Sequence, residues 1–346
     1  MAITQGSAGL RATRKIQVGL ESPSARGTPV VATARLIGTL TPKLNQKYHR
    51  PSEYETGQFN DYIKSWVISQ ESAATFEGDL TYEQCMYHLG MSLRGAITPT
   101  GGGGSPYVWT YTPNQSASQA LDCRTIEYGD NVQAQRMAFC FAKSIEISGQ
   151  VEEAVKVKTE IVGQPLSNQS FTGSISAPTA LSPVIVGTAK AYLDTSWATL
   201  GTNQLPYTVF GFDWKLVSDK GSPVTPVKYM DGNVYFTDWA EQKRHVELTI
   251  DAAYNSTIAG AFSTNLAALN QTQALMFVQL KFTGASITGG SNIFILNGAY
   301  VLDDYSELKE REGQDEVQLK FVSQLDPAAS TNEWSVIVNN NVSAMT

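Results

Sequence analysis

The side chains that could do acid–base or metal chemistry are few and scattered. The three histidines are His49, His88 and His245, in what read as a loop, a helix and a strand. That spacing offers no metal a ligand set. The chain has no Gly-x-Ser-x-Gly elbow and no His-Glu-x-x-His, so no serine hydrolase or zinc protease is written in it. Asp79 and Asp251 each stand just before a helix-like run. A carboxylate there favours the positive end of the helix dipole, and capping explains both. A glycosidase needs two facing carboxylates, and nothing points to such a pair. Cys85, Cys123 and Cys140 are an odd count with no metal spacing. They read as reduced core thiols of a protein made in a cytoplasm. Pro99–Pro106 contains four glycines, but no Lys-Ser or Lys-Thr follows and no helix begins there to present amides to an anion. It reads as a flexible connection between strands. The expectation is a protein that is not an enzyme and holds no metal or cofactor.

One charge cluster stands out. Residues 303–316 hold seven acids and two bases, which is −5 of a formal net charge of −7. The cluster reads either as a solvated hairpin tip or as a loop that meets a basic stretch on a neighbouring molecule. Lys43, Lys47, His49 and Arg50 are that candidate stretch. The residues proposed for contacts between subunits are Lys43, Lys47, Arg50, Glu53, Glu55, Asp303, Asp304, Glu307, Glu310 and Glu312. The acidic balance argues against wrapping nucleic acid, which needs clustered Lys and Arg. It leaves open a pore through which nucleic acid passes without being held.

The elements that must carry these residues are mostly strands. Charged residues are 16% of the 346, below the usual ~25%, and Ser, Thr, Asn, Gln and Gly fill the gap. Such a surface suits burial against copies of itself, and equally a quiet polar monomer. The start lacks a charged segment followed by an apolar core, so no secretory signal is expected. No apolar run approaches the ~20 residues of a membrane span. Strands are expected at 29–41 and 61–70, with 42–60 between them as a long loop. A strand at 73–80 leads to a helix. There Thr81 and Gln84 form a capping-box pattern, and Tyr82, Cys85, Met86, Leu89 and Leu93 make one apolar stripe. Gly95 suits its end. Strands follow near 107–112, 123–128, 137–149 and 151–163.

Residues 164–183, with three prolines and no charge, read as a linker. After it, strands are expected at 207–217, 227–237, 245–252, 274–282, 292–302 and 315–325, with Trp334–Val338 as one more. A helix is expected from about 255, capped by Asn255. The two halves match in element order. Asp79–Tyr82 answers to Asp251–Tyr254, Lys15–Leu20 to Lys190–Leu193, Ala142 to Gly298 and Val155–Ile161 to Val317–Phe321. The chain therefore reads as mainly β: a first β-sandwich module at 1–163, the linker, and a second at 184–346, each with one flanking helix and a long loop. The second loop, 218–226, is the shorter.

The runs Glu21–Thr33, Gly78–Gln84, Trp109–Pro113, Glu127–Asn131 and Ser144–Gly149 resemble the tail tube proteins of phages with long non-contractile tails, most of all those infecting thermophilic bacteria. The resemblance covers residues 16–163. It implies a β-sandwich with a flanking helix and a long loop, six modules to a ring, and rings stacked into a hollow tube. Two modules per chain then imply a trimeric, pseudo-sixfold ring. The long loop would grip the next ring. The implied partners are further copies, a tape-measure protein, terminator and tip proteins, and DNA passing through the lumen; the implied location is the virion tail. Two alternatives remain. One is a tail terminator or distal tail ring. The other is a carbohydrate-binding sandwich with an aromatic platform drawn from Trp66, Trp109, Trp214 and Trp239.

Overall fold

The structure, a computed structural model, describes residues 11–51, 64–114, 116–206, 208–219, 221–256, 258, 275–306, 308–327 and 333–345. The chain is mainly β, with one α-helix among the described residues. The first half contains β1 (Lys15–Leu20), β2 (Ala34–Leu36), β3 (Thr39–His49), β4 (Trp66–Asp79), α1 (Cys85–Ser92) and β5 (Thr100–Gly101). It continues with β6 (Tyr107–Tyr111), β7 (Arg124–Gly129), β8 (Ala134–Gln150), β9 (Lys156–Gly163) and β10 (Ser167–Gln169). The second half contains β11 (Ala189–Asp194), β12 (Val209–Val217), β13 (Val224–Val227), β14 (Asp238–Glu241) and β15 (His245–Ala253). It ends with β16 (Met276–Ile287), β17 (Gly290–Tyr305), β18 (Lys309–Arg311), β19 (Gln314–Ser323) and β20 (Trp334–Asn340).

The antiparallel order β1–β7–β8–β9–β4–β3 of the first half recurs in the second as β11–β16–β17–β19–β15–β12. The irregularities recur too. The β8–β9 ladder slips between Ala142 and Ser144, and the β17–β19 ladder between Leu302 and Asp304. A bulge of this kind bends a strand and re-aims its partners. In β8 it follows the change of partner from β7 to β9, and in β17 the change from β16 to β19.

Pairing thus sets Ala142 equivalent to Leu302, Ile161 to Phe321, Ala74 to Leu248 and Leu40 to Phe212. The residue matches expected from sequence are displaced. Asp79 answers to Ala253, two beyond Asp251, and Val317 to Val157, two beyond Val155; Ala142 falls four from its expected partner. Strand side chains alternate with period two, so an even slip preserves every face. β1 is buried on both faces over Ile16–Gly19 and has no alternation to read; its match slips by one, Ile16 falling with Lys190.

The halves are joined in one sheet. β12 pairs with the C-terminal part of β8, Gly211 opposite Gln150 through Leu216 opposite Ile145. The result is a continuous eight-strand layer, β3–β4–β9–β8–β12–β15–β19–β17. β20 pairs with β17 on one side and with β6 of the first half on the other. A single core cluster takes in Ile16, Phe76, Ile147, Trp214, Leu248, Phe294 and Trp334. Residues 164–183 lie along the first half: β10 pairs with β8, Thr172 N–H donates to Glu127 Oε2 (2.9 Å), and Ser182 N–H donates to Glu83 Oε2 (2.8 Å).

Three further expectations are corrected. Residues 42–49 are not loop but the second part of β3. Pro42 is compatible with a strand because β3 pairs on one side, so its missing N–H can face outward. Thr81 and Gln84 do not form a capping box. Gln84 spans to the strand layer instead, Oε1 accepting from Ile37 N–H (3.1 Å) and Nε2 donating to Arg35 O (2.9 Å). All eight residues of α1 are buried. His88 there lies beside Thr159 and Phe76, and burial holds its pKa down to about 3. Third, 227–237 is not one strand. Asp231 Oδ1 accepts from Asn233 N–H (3.1 Å) and Gly232 has φ +87°, a turn that divides the segment.

At the expected second helix, Asn255 Oδ1 does accept from Ile258 N–H (3.0 Å); residues 259–274 lie outside the described residues. The glycine run carries positive φ at Gly101, Gly102, Gly103 and Gly104, and forms the turn of the β5–β6 hairpin.

Candidate assembly surface

The proposed contact residues fall on two sheet margins. Lys43 and Lys47 lie on β3, with Arg50 just beyond it. β3 pairs with β4 alone among the described residues. Asp303 and Asp304 lie near the end of β17, Glu310 lies on β18, and Glu312 is in the tight turn between β18 and β19, with φ +51°. No strand pairs with the outer side of Val301–Tyr305 or of Lys309–Arg311 among the described residues. Glu53, Glu55 and Glu307 lie outside the described residues.

Within one copy the two margins do not meet. Lys320 Nζ is 3.6 Å from Asp304 and Arg311 is 3.6 Å from Glu316; no ion pair joins 43–50 to 303–312 among the described residues. Arg50 donates to Ser65 Oγ (3.2 Å) and lies over the Tyr48 ring.

The joint inside the chain has a structural counterpart at each margin. β3 is the equivalent of β12, and Tyr305 the equivalent of Ile145. β12 and Ile145–Gln150 are already paired. What remains is the same two surfaces, one at each end of the eight-strand layer. Such half-joints are heterologous: repeated from chain to chain, they build a ring if the rotation closes. Neither sequence match nor charge counting revealed this joint, because nothing in the local pattern of β8 marks its two-sided pairing.

Side chains on the outward face of the eight-strand layer are mostly polar or small. By alternation they include ten carboxylates (Glu71, Glu77, Asp79, Glu146, Glu160, Asp213, Glu247, Asp251, Asp304 and Glu316). Against these stand six lysines: Lys43, Lys47, Lys156, Lys158, Lys215 and Lys320. The excess is negative, so this face repels phosphate. Lys156–Asp79 at 2.5 Å is the tightest of the exposed pairs along it.

Asp213 sits at the joint, with Oδ1 buried and unpartnered. Burial, and then the charge of Glu146, pushes its pKa up to about 6, while Lys215 opposes the shift. The folded carboxyl therefore holds its proton more tightly than the unfolded one. Stability is highest below the ordinary carboxylate range and falls as pH rises from about 4 to about 6. Asp213→Asn should add about 1 kcal/mol at pH 7, after discounting for its partial exposure, and nothing at pH 4. Urea melts at the two pH values check this; an equal gain at both would contradict it.

A second feature links the halves. The connection from β12 to β15 is an arm built on the β13–β14 hairpin, longer than the expected 218–226 loop. It reaches over the first half, where Phe236, Val224 and Trp239 pack on Phe139, Phe141 and Val162. Arg244 donates to Ser92 O and Leu93 O, both 3.0 Å, at the C-terminal end of α1. Of the tryptophans considered for a carbohydrate platform, Trp109 and Trp214 are buried, Trp239 packs in this cluster, and Trp66 is exposed. The three cysteines are buried and free, and burial pushes their thiols up.

A scan against protein-family models and a search of curated proteins both give no match.

Proposed function

We propose that this protein is a structural virion protein, the major subunit of a phage tail tube, whose chains join head to tail into trimeric, pseudo-sixfold rings that stack as a DNA conduit. In this reading each half is one sandwich module, and the linker strap fixes their spacing. The observation that carries it is the β8–β12 joint, together with its two unpaired counterparts at opposite ends of the same layer. An exposed edge is a liability in a monomer, and closure into a ring removes it. The sixfold count rests on the tail-tube resemblance. The tape-measure protein inside the lumen and the terminator and tip proteins at its ends rest on it too.

Transferring the internal register gives the contact between chains. Leu216–Ile145 becomes Leu44 against Tyr305, Lys215–Glu146 becomes Lys43 against Ser306, and Asp213–Ser148 becomes Thr41 against Lys309. Lys43 and Lys47 then flank Asp304, the charge meeting expected from sequence. The negative face of the layer lines the lumen, where DNA slides without counterion release holding it.

Negative-stain images of the purified protein should show rings or long tubes about one ring wide. Labelled duplex DNA should show no tight binding to those tubes at low salt. Short caps or single rings in place of tubes would favour a terminator or distal tail protein. Tight DNA binding at low salt would contradict the sliding lumen.

A further inference from the structure

A cavity of about 510 Å³ opens beside the unpaired margin of β3. Its apolar wall is Ile16, Leu36 and Leu40, and Arg11, Arg14, Lys15 and Arg35 also line it. No carboxylate among the described residues lines it. Arg35 Nε is buried and has no hydrogen-bond partner among the described residues. Four cations around one cavity repel one another unless an anion enters.

The corresponding place in the second half is already filled, by the first half. There the turn after β8 docks on the chain preceding β11. Val155 N–H donates to Val184 O (2.8 Å), Val186 N–H donates to Glu153 O (3.1 Å), and Ala154 bridges Ile185. Gly149 lies against Val186. In the equivalent turn of the second half, Gln314 stands for Ala154 and Asp315 for Val155. Across the β18–β19 ladder Glu310 faces Asp315, so the two carboxylates share one side. Ile185 is matched by Arg11. Where the internal joint buries Gly149 and Val155, the margin between chains brings Glu310 and Asp315, and where it presents Ile185 the cavity presents arginine. Tyr305 and Leu308, 49% and 52% exposed, lie on the same approaching segment and suit the apolar wall.

We propose that this cavity is the socket for the β18–β19 hairpin of a second copy, with Glu310 and Asp315 inserted among Arg11, Arg14, Lys15 and Arg35. The socket deepens the ring reading and rests on it. It gives the junction an electrostatic lock that the joint inside the chain lacks, and makes ring closure sensitive to salt. A partly enclosed site screens charge less than open water, so the four charges are coupled as a set.

The test is a charge exchange in the full chain, read by sedimentation velocity and native mass over a range of concentration at low and high salt. Arg14→Glu with Arg35→Glu should raise the concentration for half-assembly at least tenfold. Glu310→Lys with Asp315→Lys should do the same. All four together should return it to within about threefold of the unmodified chain, since coupled charges are compensated only by each other. Glu310→Gln with Asp315→Asn should weaken assembly and flatten its salt dependence. Thermal melts of each variant confirm that the monomer is folded. An unmodified chain that assembles, with all variants assembling equally well, would remove the socket and leave the ring. An unmodified chain that stays monomeric throughout would remove both. Binding of a labelled DNA fragment that Arg14→Glu with Arg35→Glu abolishes, with assembly intact, would make the cavity a phosphate site and overturn the proposal.

Discussion

Trp214→Ala should lower the unfolding free energy by about 3–5 kcal/mol, the cost of removing a large buried aromatic side chain whose site cannot collapse. Trp214 is fully buried on β12, the strand that joins the halves, and meets Trp334 edge-on at 6.3 Å. For a chain of this length the shift in Tm is about 4–7 °C. Its position makes the variant informative beyond its size. The core runs unbroken across the β8–β12 joint, so unfolding should remain one transition that moves down as a whole. Calorimetry or denaturant melts followed by two probes check this. Two separated transitions in the variant, or a loss below 1 kcal/mol, would mean that the joint is not a shared core.

Arg244→Ala should cost about 2–4 kcal/mol. Arg244 comes from the arm of the second half, yet its guanidinium donates to the last carbonyls of α1 in the first half. Helix C-terminal carbonyls lack partners within the helix, and a cation is favoured there by the dipole. Burial pulls the Arg244 pKa down to about 10, which still leaves it charged at neutral pH. Hydrogen bonds to a charged group contribute roughly 1.5–3 kcal/mol each, and truncation leaves two carbonyls facing a void. Arg244→Lys should recover less than half of the loss, because one ammonium cannot reproduce the fork that spans both oxygens. Denaturant melts of the two variants decide it; equal stability of Lys and Arg would mean that charge alone matters.

Strand order was legible in the sequence because alternation and turn residues mark each strand where it stands. The residue register between the halves was not. A slip of two or four leaves every inward residue inward, and so the sequence pattern matches Asp79 to Asp251 although its pairing equivalent is Ala253. A proline at position 42 argues for a loop, but one-sided pairing admits it to β3. The capping-box pattern at Thr81 and Gln84 misled because Gln84 had better partners across the fold in Ile37 and Arg35. The charge cluster at 303–316 and the basic stretch on β3 were both visible. Their placement at opposite ends of one layer was not, because it depends on the pairing of β8 with β12, a contact between residues some 65 positions apart. Arg11, Arg14 and Arg35 carry no local signal for the same reason: they are separated along the chain and meet at one cavity.

The most direct measurement places a cysteine on each unpaired margin. Thr41→Cys with Lys309→Cys occupy the positions that Asp213 and Ser148 take in the internal joint. Side chains directly opposite in an antiparallel pair stand about 4.5–5.5 Å apart at Cβ, within reach of a disulfide after slight adjustment. Asp213→Cys with Ser148→Cys is the control and should close a bond inside one chain. After mild oxidation, a denaturing non-reducing gel should show the margin pair as a closed species of three chains, each of 37.6 kDa. Single chains alone, from a sample in which the control pair closes fully, would contradict the head-to-tail ring.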